Sequence, residues 1–238
     1  MTDDDNLAFL REVMRHSKEA AGLPSGWGTT PSPLSPEEEA EDAPRPPRLR
    51  AGMSTAELLP YGRVVRTADG QDLQVERLTA GPLEASGGGI AVCDPVSLEW
   101  LGQPLELDLK GDLLPVELAV LRRTTPRGDV LQGAAAVVGD PSAVTSWIDF
   151  PMPGTRVQVD QGCGAFVVRN DLSRVADVAP DLAPTTSTDG LVPVHVDGRV
   201  AAVLFDPGDG PGGYEVLLGR GRGPLPVALL VDLRVLPR

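Results

Sequence analysis

The sequence predicts a mainly β fold, an antiparallel sandwich or open barrel of about ten strands, and three observations carry that expectation. Short runs alternate apolar and polar residues, as Leu105, Leu107 and Leu109 do with Glu106, Asp108 and Lys110. Asp-Gly pairs fall between such runs, at Asp69-Gly70 and Asp197-Gly198, and that dipeptide suits a tight hairpin turn. Near its end the chain places Leu225, Val227, Leu229, Val231, Leu233 and Val235 at every second position, a long strand with one continuous buried face. No repeat period accompanies the strands, which argues against a propeller or solenoid.

The elements follow in order. Residues 1–22 read as a short amphipathic helix, with Leu7, Leu10 and Met14, and Phe9 and Val13, at helical spacing. Asp3 to Asn6 can cap it and complement its dipole, and Gly22 and Pro24 stop it. Over residues 23–52 the composition shifts to prolines, at 24, 31, 33, 36, 44, 46 and 47, around an acidic run from Glu37 to Asp42. So few apolar side chains do not offset the entropy of ordering, so a disordered linker is expected, either a tail without a role or a tether that presents the helix to a partner.

The folded domain is expected over 53–238. Ser54 caps one helical turn carrying Leu58 and Leu59 and ending at Pro60. Val64 to Arg66 and Leu73 to Val75 flank the first Asp-Gly turn, and Gly89 to Cys93 forms a short strand ended by Asp94-Pro95. Gly111-Asp112 turns the Leu105–Leu109 strand into Val116 to Leu121, and Gly128-Asp129 leads into Val130 to Val138. Val157 and Val159 alternate with polar neighbours, and Ala165 to Val168 is a buried strand. Leu172 to Val178 reads as one helical turn or as irregular chain, and Pro180 to Gly190 as a loop. Val192, Val194 and Val196 rise to the second Asp-Gly turn and Val200 to Phe205 returns. A glycine-rich acidic loop, a strand opened by Tyr214, a turn and the final strand complete the chain; opposite that strand's apolar row stand Ala228 and Leu230, then Asp232 and Arg234, so its second face is covered at one end and wet at the other.

Composition narrows the functional classes. Aromatic residues make up 4% of the chain, so Val, Leu and Ala must build the core. Its net charge of -13 removes the basic footprint that nucleic acid or an anionic membrane surface requires. There is no apolar run of about 18 residues to span a bilayer. The start MTDDDNLAFLREV is acidic where a secretory signal needs positive charge, so a cytoplasmic location and reduced Cys93 and Cys163 are expected.

Catalytic motifs are mostly excluded. The histidines are His16, in the terminal helix, and His195, on the polar side of a Val-x-Val-x-Val strand. No Gly-x-Ser-x-Gly elbow is present to build a triad on His195, and a Cys163–His195 pair competes with simple packing of the thiol. The cysteine and histidine spacing fits no zinc site, and the loop from Asp206 carries leucine at 217, where a calcium loop would close on Glu. Gly87 to Gly89 precedes a strand, unlike a phosphate-binding loop, and the glycines at 219, 221 and 223 beside Arg220 and Arg222 are explained by a turn. Neither cofactor nor metal is expected. What remains is a set of strand-end residues, Asp94, Asp160, Asp209, Tyr214 and Asp232. Such aspartates usually cap turns; if several converge, a carboxylate pair could carry acid–base chemistry.

Four stretches resemble a bacterial family catalogued only as a domain of unknown function: SGGGIAVCDP from Ser86, WIDF from Trp147, VDQGCGAF from Val159, and GDGPGGYEVLLG with VALLVDLRVL between Gly208 and Leu236. Pro211-Gly212 departs from that family's pattern in the loop before Tyr214. The resemblance implies a β-rich domain of bacterial origin and carries no established activity; some relatives look like toxin-immunity or other accessory proteins. The function expected is therefore a non-enzymatic protein-binding module with an unidentified protein partner, such as an immunity-type inhibitor presenting an acidic patch. The alternative is a carboxylate-dependent hydrolase.

Overall fold

In a computed structural model of the chain, the described residues are 49–67, 70–86, 89–98, 104–125, 128–150, 155–161, 163–208 and 210–236. The expected terminal helix, the linker as far as residue 48, and Asp209 lie outside them. Among the described residues the strands are β1 (Val64–Arg66), β2 (Asp72–Glu84), β3 (Ile90–Cys93), β4 (Leu105–Leu107), β5 (Leu113–Thr125), β6 (Gly128–Gly139) and β7 (Ser146–Asp149). They continue with β8 (Arg156–Val159), β9 (Gly164–Val168), β10 (Leu191–Val196), β11 (Arg199–Phe205), β12 (Gly212–Arg220) and β13 (Ala228–Asp232). The mainly β, antiparallel expectation holds, with 13 strands in place of about ten. The unanticipated strand is β7, whose four residues are too few to show a period.

The strands form two sheets. The larger runs β1-β2-β5-β6-β13-β12-β7, with β8 also paired to β12, and the smaller runs β10-β11-β9-β3-β4. On β12, β8 takes Gly212 to Glu215 and β7 takes Leu217 to Arg220, so the two short strands share one edge end to end. Leu118, Val138, Tyr214, Leu229 and Val231 of the large sheet meet Ile90, Phe166, Val203 and Phe205 of the small one in a common core. The Phe166 and Phe205 rings lie 5.0 Å apart, and the rest of this core is largely the aliphatic packing that the composition requires.

Each sheet has a second buried face. On the large sheet, Leu49, Leu58 and Leu59 pack over Trp147, Leu217 and Leu230. The turn α1 (Thr55–Leu58) starts as expected at Ser54, whose backbone N–H and hydroxyl both donate to Glu57 Oε2, at 2.7 and 2.6 Å. On the small sheet the cover is α2 (Leu172–Leu182), which packs Leu172, Val175 and Leu182 against Val167, Val194 and Leu204.

Three expectations change. Residues 172–189 are helical almost throughout: α2 leads through a 3-10 turn, Ala183–Thr185, into α3 (Thr186–Asp189). Pro180 and Pro184 read as breakers, but an apolar stripe with a sheet to cover outweighs local propensity. β4 and β5 are not a hairpin, since β4 pairs with β3 in the small sheet and β5 with β2 and β6 in the large one. Gly111 and Asp112 therefore carry the chain between layers, and Gly111 has a φ of 117°.

The final strand is shorter than its alternation suggested. Ala228–Asp232 are buried on both faces, so the wet end expected around Asp232 is absent. Arg234 has a φ of 62°, a left-handed turn that breaks the two-residue period. Leu233 accordingly joins the inter-sheet core, whereas Val235 swings to the outer cluster with Leu236.

Candidate functional site

Asp94 ends β3 and is 2% exposed. Its Oδ1 accepts the N–H groups of Val96 and Ser97, at 2.9 and 3.3 Å. Its Oδ2 accepts those of Asp160 and Gln161, both at 2.8 Å. One carboxylate therefore closes its own turn and ties the segment after β8 to the end of β3. Asp160 contributes its backbone to this knot while its exposed carboxylate accepts from Gln161 Nε2 at 3.0 Å.

Asp232, 1% exposed, ends β13 on the outer face of the large sheet. Its Oδ2 accepts the Leu49 N–H at 3.0 Å and its Oδ1 the Arg234 N–H at 2.8 Å. It faces Glu215 across the β12–β13 ladder, whereas Val159, the neighbour of Asp160, stands opposite Gly212. Three steps along β12, from Gly212 to Glu215, separate these rows, about 10 Å at the ordinary strand rise. Asp94 and Asp160 thus come together through backbone hydrogen bonds, and Asp232 stands apart from them.

Tyr214 opens onto the inter-sheet core and is 1% exposed. Its hydroxyl donates to the Gly210 carbonyl, and the Arg234 guanidinium lies over its ring, 5.6 Å from the centroid. The loop it closes is also held at its beginning. Asp206 Oδ1 accepts the Gly208 N–H at 2.6 Å, and Gln132 Nε2 donates to the Gly208 carbonyl at 2.9 Å. Gly208, with a φ of 74°, approaches β6 so closely that a Cβ would sit 1.8 Å from the Gly133 carbonyl oxygen. The loop is clamped at both ends, with Pro211 exposed between them.

Two carboxyl groups absent from the strand-end set have shifted acidities. Burial pushes Asp206 above the usual carboxylate range, partly opposed by hydrogen bonds from Gly208 and Gly133 N–H. Burial likewise raises Glu215, and Arg156 opposes it while Asp232 adds to it. The signal for Glu215 was its place beside Tyr214: a tyrosine facing inward puts its neighbour on the outer face beside Asp232.

The remaining candidates carry little chemistry. Cys93 and Cys163 are free and buried; burial pushes the Cys163 thiol up to about 12 and raises Cys93 as well, so neither is a ready nucleophile. His195 is exposed on β10, whereas Cys163 lies fully buried in the outer cluster of that sheet, so they do not form a pair. Among the described residues no group of three or more His, Cys, Asp or Glu side chains is placed to hold a metal ion, and no helix is long and apolar enough to cross a membrane.

Comparisons with protein-family models, curated proteins and solved structures give no match.

Proposed function

We propose that the chain is a non-enzymatic protein-binding or accessory module of the bacterial cytoplasm, with an immunity-type inhibitor of a partner protein as its concrete form. The resemblance of its glycine-rich loop and final strand to the bacterial family of unknown function belongs to this proposal. The observation that supports it best is the use made of the strand-end aspartates. Asp94 engages four backbone N–H groups and Asp232 two, which leaves buried carboxylates that organise chain rather than meet a substrate. The doubly clamped loop from Asp206 to Tyr214 supplies what a binder needs instead, an exposed apex whose ordering entropy is already met on folding.

Capture from an extract of the native cells tests the reading. The full chain should retain a specific protein, and Pro211→Arg at the exposed loop should lose it while melting like the parent. Retention of no specific protein by the folded full chain would count against the proposal. The opposition of Glu215 and Asp232 favours a second reading, a carboxylate-dependent hydrolase with Glu215, whose pKa burial raises, as its acid. Against it stands Asp232, 1% exposed and engaged at both oxygens, with no access to act as the partner base.

A further inference from the structure

Residues 49–61 precede β1 and cross the outer face of the large sheet. They cover Trp147, Leu217 and Leu230 with Leu49, Leu58 and Leu59, and their polar ties to the domain are few and separate. Leu49 N–H donates to Asp232 Oδ2, Gly52 N–H to the Trp147 carbonyl, Trp147 Nε1 to Thr55 Oγ1, and the Tyr61 hydroxyl to Glu117 Oε2, each at 3.0 Å. Ladder-type pairing begins only beyond this segment, where Gly62 N–H donates to the Val75 carbonyl at 2.8 Å. Residues 49–60 can therefore lift without breaking a strand-to-strand bond.

We infer that residues 49–61 form a detachable strap, latched by Asp232 on the Leu49 N–H and hinged near Tyr61. Its opening uncovers Trp147 while both sheets stay intact. A segment with one helical turn and scattered anchors opens at lower free energy than the strands beneath it. Asp232 makes the latch selective, because opening takes the Leu49 N–H away from a carboxylate that is 1% exposed. An event that draws on the chain ahead of Leu49 would then be coupled to exposure of the Trp147 face. The inference goes beyond the binding role and stands or falls independently of it.

Hydrogen–deuterium exchange on the full chain decides it. The amides of Gly52, Leu58 and Leu59 should exchange faster, and with a shallower denaturant dependence, than those of Val116 to Leu121. Asp232→Ala should speed exchange in the strap at least tenfold and leave Val116 to Leu121 unchanged. If that variant does not fold, Leu49→Pro removes the donor and keeps the carboxylate, and the same contrast is expected. Strap and core amides that exchange together in the parent chain, or that accelerate equally in a folded variant, would overturn the strap.

Discussion

An arginine lies over a tyrosine ring in two regions of the large sheet, and the two stacks are completed differently. Arg77 sits 5.5 Å from the Tyr61 centroid and Arg234 sits 5.6 Å from that of Tyr214. In the first, Glu117, 5% exposed, accepts from the tyrosine hydroxyl and pairs with the arginine. Side chains alone close that network; burial pushes the Tyr61 phenol up and Glu117 adds to the shift. In the second, the hydroxyl donates to the Gly210 backbone, the arginine adopts a φ of 62°, and its buried Nη2 has no hydrogen-bond partner among the described residues. The first stack fastens a strap with replaceable side-chain contacts. The second fixes the path of the backbone itself, in the loop that carries the proposed recognition apex. Backbone strain and an unmet donor at the same place fit a region selected for geometry rather than stability.

The largest expected effect sharpens that contrast. Tyr214→Ala should lower unfolding stability by about 3–5 kcal/mol in a denaturant melt, since a fully buried ring leaves a cavity between the sheets. Tyr61→Ala, at a half-buried ring, should lower it clearly less. Equal losses would mean that the stacks do not differ in role.

How much of this was legible follows from which interactions are local. The Ser54 cap, the antiparallel pairing of β1 with β2 and the Asp197-Gly198 hairpin depend on a few neighbouring residues, and the sequence shows them. The engagement of Asp232 with Leu49 joins positions far apart in the chain, and no periodicity reports it. Residues 172–189 were obscured by Pro180 and Pro184, whose local signal opposes the tertiary demand for a cover over Val167 and Val194. In the final strand the alternation through Leu233 was real, but the left-handed Arg234 gave no warning that Val235 would change faces. The importance of Glu215 comes from its cross-strand neighbour Asp232.

Next in size is the core of the first stack. Glu117→Ala leaves the Tyr61 hydroxyl without its acceptor and Arg77 without its partner, and should cost about 1–3 kcal/mol. Arg77 is half-exposed, so its side of the pair is partly screened and Arg77→Ala should cost less than Glu117→Ala. A larger loss for Arg77 than for Glu117 would relocate the centre of that network.

Gly208→Ala tests the front clamp of the loop. Its positive φ and the close approach to Gly133 should cost about 1–3 kcal/mol and weaken capture of any partner, whereas Gly198→Ala, at a φ of 80° in open space, strains the backbone alone and should cost less. Similar melts for both variants would show that the loop does not dock tightly on β6.

The smallest effect is on pH dependence. Asp206 and Glu215 have folded-state pKa values raised above their unfolded ones, so the folded chain holds more protons in the window between the two. Their ionisation therefore works against folding: stability gained from these groups is present at low pH and is lost as pH rises through their raised values. Asp206→Asn should flatten that part of the stability profile relative to the parent chain. A steeper fall with rising pH in the variant would reverse the assignment.

The strand-end aspartates hold backbone rather than perform chemistry, and Asp94→Ala puts that to the test. With four backbone N–H groups left without their acceptor, the denaturant midpoint should fall by an amount equivalent to about 2–4 kcal/mol. An unchanged midpoint would show that the fold does not need this carboxylate and would return Asp94 to the candidates for catalysis.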